Sequence, residues 1–126
     1  MQFQIYQIRL SEQLQKEVNR IGHSAAAADH SIYRAHLDTT RGKWDPGYLA
    51  LYTKVATVLS ENTLTLEDVF RIGNIGPCDD SEILEQHGPM HSLSVGDLVR
   101  DQDGVWFFCD RMGWNIVCVE PKKDVA

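Results

Sequence analysis

Three short apolar runs separated by two tight turns occupy residues 98–119. The first run ends at the Gln-Asp-Gly turn at 102–104, which suits a β-hairpin. The other two runs, 105–110 and 114–119, are rich in aromatic and β-branched residues and flank a second turn at 112–113. This pattern predicts a three-stranded meander in the last third of the chain.

The first 22 residues predict a strand followed by a helix. Apolar and polar residues partly alternate over 3–10, as in a half-buried strand. Ser11 then offers an oxygen that can cap a helix, and apolar residues recur at a spacing of three to four as far as Ile21. Gly22 supplies the stop signal, so the spacing predicts a helix over 11–21.

The middle of the chain carries weaker signals. Good helix formers predict a second helix over 25–37, and Asp-Pro-Gly at 45–47 predicts a turn. Aromatic and β-branched residues predict a strand over 48–59, with a helical start at 48–52 as the alternative. The sequence therefore places a helix, a turn and a strand between the first helix and residue 60.

A short helix and a long loop precede the meander. Thr65 and Asp68 resemble a capping box and predict a helix that ends near 73–74. The polar stretch after it is loop-like, with one turn of acidic helix at 81–86, and the last six residues, 121–126, predict a frayed end.

A chain of 126 residues has the size of one domain, so residues 1–126 are expected to form a single core. With 43% hydrophobic and 24% charged residues, the composition excludes a disordered or collagen-like chain. The expected fold class is α+β: a small mixed or antiparallel sheet with the 11–21 helix packed on one face and the meander completing the core.

Composition also limits the cellular setting. The longest apolar runs, 25–28 and 105–108, are far shorter than the roughly 18 residues that span a bilayer, and the start of the chain lacks the features of a signal peptide. A cytoplasmic protein without a membrane partner is therefore expected. Three cysteines without a CxxC pair disfavour a disulfide framework and a structural zinc site.

Charge separates the two halves of the chain. Residues 1–57 carry seven Lys and Arg against five Asp and Glu, whereas residues 58–126 carry five against thirteen. Scattered basic residues disfavour nucleic acid as a partner, because phosphate binding needs them clustered. The acidic half suits a basic protein surface, although acidic excess also serves solubility.

No residue pattern indicates a catalytic, cofactor or metal site, and the chain is expected to be non-enzymatic without a cofactor. The histidines at 23–36 lack a carboxylate at helical spacing, and the loop residues His87 and His91 flank a helix-breaking Gly-Pro. The enzymatic alternative is a small hydrolase or transferase using Cys78, His87 and nearby acids.

A second alternative is an RNA or single-strand binder. Trp106, Phe108 and Trp114 would then form a platform on which bases stack. The favoured interpretation is that these aromatic side chains pack in the core and the sheet.

Five segments occur in an order typical of one known family. They read FQIYQIR, YLALYTKV, TLEDVFRIGN, MHSLSVGDLV and DGVWFFCDRMGWNIV. With them the chain resembles, over nearly its whole length, the YodL-like domain of bacteria and their plasmids and phages. Trp114 stands where that family commonly has phenylalanine, and the segments 25–45 and 78–87 are additional. The signature positions are Tyr6, Gln7, Ser92, Ser94, Gly96, Asp97 and Gly113.

The resemblance implies a small accessory protein, often carried by mobile elements, that binds or modulates another protein. The leading hypothesis is a non-enzymatic protein that binds a partner with a basic surface, in its sharper form a phage- or plasmid-encoded inhibitor of a host or defence protein. The alternative is a regulator or scaffold encoded by the host itself. The predicted partner-binding residues are Asp79, Asp80, Glu82, Glu85 and Trp114.

Overall fold

A computed structural model describes residues 1–121, so most of the predicted frayed end lies outside the described residues. Its strands form one six-stranded sheet in the order β3-β2-β1-β4-β5-β6, and every neighbouring pair is antiparallel. The strands are β1 (Gln2–Gln7), β2 (Thr53–Ser60), β3 (Glu82–Gln86), β4 (Leu98–Asp101), β5 (Val105–Asp110) and β6 (Gly113–Val119).

The helices lie between β1 and β2 and between β2 and β3, and the predicted α+β class is confirmed. The predicted meander corresponds to β4, β5 and β6. The helices are α1 (Glu12–Ile21), α2 (His23–Asp29), α3 (Ser31–Thr40), a 3₁₀ helix (Pro46–Leu51) and α4 (Leu66–Ile75).

Side-chain caps fix the start of two helices as predicted. The Ser11 hydroxyl accepts a hydrogen bond from the backbone N–H of Leu14 at 3.1 Å and so caps α1. Thr65 and Asp68 cap each other's backbone N–H groups at the start of α4. These local signals depend only on neighbours in sequence, which is why the sequence was sufficient to find them.

The sheet has two unlike faces. On the first face the side chains of β1 and β2 pack with α4 in the main core, whose buried residues are Phe3, Ile5, Val55, Ala56, Val58, Leu64, Val69, Ile72, Leu93, Val99 and Cys109. On the second face, Trp44, Leu49 and Tyr52 from the 3₁₀ segment cover Leu98, Trp106 and Phe108 of β4 and β5. On β3 the second face is exposed at Ile83 and Glu85.

The helix expected on the sheet is not the one that packs there. The apolar side of α1 packs with α2 and α3 around Val18, Ala26 and Tyr33, in a cluster separate from the cores of the sheet. α4 contributes Val69 and Ile72 to the main core instead. An apolar stripe shows that a helix buries one side, but the element it packs against depends on the whole fold.

Three middle segments differ from the sequence-based predictions. The acidic turn of helix predicted at 81–86 is wrong, because these residues form β3 and pair with β2. The stretch 48–52 follows the helical alternative: residues 48–51 end the 3₁₀ helix, Tyr52 is its C-cap, and β2 starts at Thr53. The second helix is broken at His30, whose φ of −127° and ψ of 109° are extended.

The turn of the last hairpin consists of residues 111–112 and so lies one residue earlier than the predicted turn at 112–113. Cys109 therefore lies opposite Trp114, and Cys118 lies opposite Trp106. All three cysteines are free thiols.

Candidate functional site

A buried polar cluster joins the end of β1 to the loop before β4. Gln7 follows Phe3 and Ile5 on the inward side of β1 and is fully buried. Its amide Nε2 donates to the carbonyl oxygen of His91 at 2.9 Å and to Asp97 Oδ2 at 3.1 Å, and its Oε1 accepts from the His91 N–H at 3.1 Å. Gln7 therefore ties a distant loop to the sheet.

The bend at Gly96 holds Asp97 in place. The Gly96 N–H donates to the carbonyl oxygen of Cys109 and the Cys109 N–H donates to that of Asp97, both at 2.9 Å. The Ser94 N–H donates to Asp97 Oδ2 at 2.9 Å. Gly96 has a φ of +98°, and a Cβ atom there would lie 2.8 Å from the carbonyl oxygen of Thr39. Only glycine allows α3 to approach the bend this closely.

Burial changes the acidity of this cluster. It raises the pKa of Asp97 to about 6, against the lowering effects of nearby His91 and of the hydrogen bonds from Ser94 and Gln7. Burial also lowers the pKa of His36, and His91 adds to that effect. A buried carboxylate with a shifted pKa beside two imidazoles is a pattern found at functional sites.

Asp97 is expected to titrate near pH 6, and replacing His91 with Ala should move its midpoint upward because a neighbouring positive charge is lost. The folded-state pKa lies above the ordinary 3.8, so protonation of Asp97 stabilises the fold. Its contribution of about 3 kcal/mol is complete below about pH 4 and is lost as the pH rises through about 6.

Carbon-13 NMR of the Asp97 carboxyl group and urea unfolding at a series of pH values measure both effects. In Asp97→Asn the corresponding slope of stability against pH should vanish. A midpoint near 4 would contradict the assignment.

The structure brings five of the seven signature residues together and leaves two apart. Gln7, Ser94, Gly96 and Asp97 belong to the cluster, and the Ser92 carbonyl oxygen lies 2.7 Å from His91 Nδ1. The other two lie elsewhere: Tyr6 packs against Trp106 on the second face, with ring centroids 4.6 Å apart, and Gly113 begins β6.

The four predicted acidic partner-binding residues are arranged around β3 and differ in availability. Glu82 is buried and accepts two hydrogen bonds from Arg71 at 3.0 and 2.6 Å, which lower its pKa to about 2. Asp79 accepts from the Ser81 N–H. Asp80 and Glu85 are exposed. Only these last two present carboxylates that the structure leaves to an incoming basic group.

A groove of about 640 Å³ crosses the strand ends on the second face, from the start of β3 past β2 and β1 to the turn after β4. Its apolar floor includes Leu59 and Ile83, which lie opposite each other in the β2–β3 ladder, and Ile83 is 52% exposed. Every charged side chain among the described residues that line it is acidic: Glu61 and Asp80. We call this surface the β3 groove; its remaining lining residues are Met1, Gln2, Ser60, Ser81 and Gln102.

Trp114, the fifth predicted partner-binding residue, lies at the opposite edge of the sheet. It is half-buried, makes an edge-to-face contact with Phe70, and lines a groove of about 310 Å³ beside the fully exposed Met112. Five strand spacings of about 4.8 Å place this edge roughly 24 Å from β3. Trp114 and the acidic residues therefore do not form one surface.

The residues of the enzymatic alternative do not meet. The Cys78 N–H donates to Glu82, whose carboxylate faces α4 on the first side of the sheet. His87 instead contacts the Thr57 hydroxyl, which lies on the second side, at 2.7 Å. The pKa of the Cys78 thiol is raised by Glu82, which disfavours the thiolate.

The aromatic residues of the RNA alternative are mostly inside the protein. Trp106 and Phe108 are buried, and the Trp106 indole N–H donates to Glu120 at 2.9 Å. Of the three, only Trp114 is partly exposed, so they do not form a stacking platform.

Sequence reasoning missed Arg71 and Ile83, and it considered His36 and His91 only as metal ligands, although all four residues shape these sites. The position of Gln7 offered a signal, since a polar residue in phase with Phe3 and Ile5 on a strand must find buried partners. The pairing of Arg71 with Glu82 had none, because it joins a helix to a strand eleven residues later.

Within residues 1–121, no group of three or more His, Cys, Asp or Glu side chains is arranged to hold a metal ion. No helix in that part of the chain is long and apolar enough to cross a bilayer. A comparison of the chain with protein-family models, with curated proteins and with solved structures finds no match. The resemblance to the YodL-like domain therefore stays a prediction.

Proposed function

We propose that the protein is a non-enzymatic binding protein whose β3 groove holds a basic segment of a protein partner. The observation that carries this proposal is an exposed apolar floor beside charged side chains that are all acidic. A partner segment would place an apolar side chain against Leu59 and Ile83 and Lys or Arg side chains beside Glu61 and Asp80.

The unpaired edge of β3, which the groove meets at Ile83, supports this proposal further. β3 pairs with β2 on one side, and no described strand pairs with its other side. An extended partner segment can therefore add to the edge through backbone hydrogen bonds. Glu85 is two residues from Ile83 along β3 and points to the same side of the sheet, so it extends the acidic surface.

The finer form of the proposal follows from the resemblance given above. In it the partner is a host or defence protein that a phage- or plasmid-encoded chain inhibits, and the alternative is a host-encoded regulator or scaffold. An activity assay of the captured partner with and without this protein separates inhibition from scaffolding.

The test is affinity purification of the tagged protein from its native host, with matched substitutions at the two sheet edges. Ile83→Lys places a positive charge in the β3 groove and should reduce recovery of a stoichiometric partner by about tenfold or more. Ile116→Lys is the control, because Ile116 lies on β6 and is similarly exposed, at 63% against 52%. Recovery should also fall between about 50 and 300 mM NaCl, because salt screens exposed charge pairs.

Two results would contradict the proposal. Loss of the partner in Ile116→Lys with normal recovery in Ile83→Lys would move the interface to β6. If the unmodified protein captures no stoichiometric partner, the proposed binding function is wrong.

The β6 edge is the second candidate interface. Its sequence GWNIVCV carries no charged residue, and Ile116 and Val119 are each 63% exposed. Uncharged edge strands with exposed apolar residues are prone to pair with another chain. The β3 groove is favoured because its charge specifies the kind of partner.

A further inference from the structure

A second cavity, separate from the β3 groove, lies between the C-terminal end of α3 and the Gly96 bend. Its volume is about 230 Å³, enough for about seven water molecules at about 30 Å³ each. Asp97, His36 and His91 line it together with Thr39 and Thr40. A space of this size suits a chemical group of side-chain dimensions rather than a drug-sized molecule.

Asp97 presents one carboxylate oxygen that the described residues leave without a hydrogen-bond donor. Oδ2 accepts from Gln7 and from the Ser94 N–H, whereas no donor lies within hydrogen-bond distance of Oδ1. His91 Nε2 lies 3.8 Å from Oδ1. Because Asp97 is only 4% exposed and lines the cavity, Oδ1 is an acceptor available from the cavity.

His91 offers a second acceptor beside it. His91 Nδ1 lies 2.7 Å from the Ser92 carbonyl oxygen, which can only accept a hydrogen bond. Gln7 Nε2 also lies 3.2 Å from Nδ1, but its two N–H groups donate to the His91 carbonyl oxygen and to Asp97 Oδ2. In the neutral ring the proton is therefore assigned to Nδ1, and Nε2 keeps its lone pair. Its lowered pKa favours the neutral form of the His36 ring. With the His91 ring neutral, the cavity combines the Asp97 carboxylate with ring nitrogens that can accept.

We propose that this cavity binds a small organic cation whose guanidinium or primary ammonium group donates hydrogen bonds to Asp97 Oδ1 and His91 Nε2. Charge-assisted hydrogen bonds of this kind are about twice as strong as neutral ones. The cation would also balance the buried carboxylate. It can be a free small molecule or the side chain of a peptide, and both sources present the same chemistry.

Titration of the isotope-labelled protein with methylguanidinium and methylammonium, followed by NMR, tests the proposal. At least one probe should give saturable shifts at Gln7, His91 and Asp97, whereas neutral urea at the same concentration should give none. Asp97→Asn should weaken binding by about tenfold or more, because the amide keeps the shape but not the charge. Asp110→Asn, a change to another partly buried carboxylate on β5, should leave it unchanged.

The pH dependence gives a readout that a merely structural Asp97 would not produce. Affinity should fall about tenfold from pH 7.5 to pH 5, because a group with a pKa of about 6 is then about nine-tenths protonated. Four groups interact electrostatically with Asp97: His91, Arg9, Tyr52 and Cys109. A fifth group, His36, interacts with His91. His91→Ala should weaken binding severalfold and supplies a second variant if Asp97→Asn fails to fold.

Blocked arginine amide distinguishes the two sources of the cation. If blocked arginine amide binds as tightly as methylguanidinium, the cation is a peptide side chain. If only the free cation binds, the ligand is a small molecule. Equal shifts with urea, unchanged affinity in both Asp97→Asn and His91→Ala, or no saturable shift with either cation would overturn the proposal.

Discussion

Gly96→Ala is expected to lower the free energy of unfolding by about 3–5 kcal/mol. The residue has a φ of +98°, and the new Cβ would lie 2.8 Å from the carbonyl oxygen of Thr39 and 2.9 Å from its carbonyl carbon. Both atoms belong to the backbone at the end of α3, so no flexible side chain can move aside. Urea unfolding of the purified variant measures the effect.

Gly76→Ala is the matched control. Gly76 ends α4 with a φ of +104°, and nothing lies within 4 Å of a Cβ placed there. Gly76→Ala introduces the same backbone strain without the steric clash, so it should lower the free energy of unfolding by only about 1–2 kcal/mol. Equal losses in the two variants would show that α3 does not press against the bend.

Gln7→Leu is expected to destabilise the protein by about 2–4 kcal/mol although it keeps the side-chain volume. The substitution leaves the His91 N–H and one hydrogen-bonding position of Asp97 Oδ2 without their partner. It should also raise the pKa of Asp97 further, because the Gln7 hydrogen bond favours the ionised carboxylate. Urea unfolding and the carboxyl NMR titration record the two effects.

Gln4→Leu serves as the comparison for this substitution. Gln4 lies on the other side of β1, is half-buried, and accepts only from the Tyr6 hydroxyl at 3.0 Å. We expect Gln4→Leu to lower the free energy of unfolding by less than about 1 kcal/mol. If Gln7→Leu leaves the free energy of unfolding unchanged, the cluster does not hold the loop against the sheet, and this account is wrong.

The sequence predicted those parts of the fold that local chemistry determines. The caps at Ser11 and Thr65 and the closely spaced turns of the meander are decided by neighbours along the chain. The placement of α1 on other helices and the strand at 82–86 are decided by distant partners. The acidic stretch 82–86 has the composition of a loop, and it is a strand because it pairs with β2. No local sequence pattern indicates that pairing.

The sequence predicted single residues of the candidate sites but not the contacts that bring them together. The spacing of Ser94, Gly96 and Asp97 indicated a tight bend, but the approach of Thr39 comes from α3, more than fifty residues earlier. Asp80 and Glu85 were found as exposed acids, whereas the apolar floor formed by Leu59 and Ile83 required the β2–β3 register. Burial likewise determines the acidity of Asp97, and the sequence alone carries no measure of it.

Backbone amide hydrogen exchange of the protein with and without its captured partner tests the central claim most directly. Binding in the β3 groove should slow exchange in β3, at Glu82–Gln86, and leave the amides of β6 unchanged. Slowed exchange confined to Gly113–Val119, or no difference at either edge, would contradict the assignment of the partner to the β3 groove.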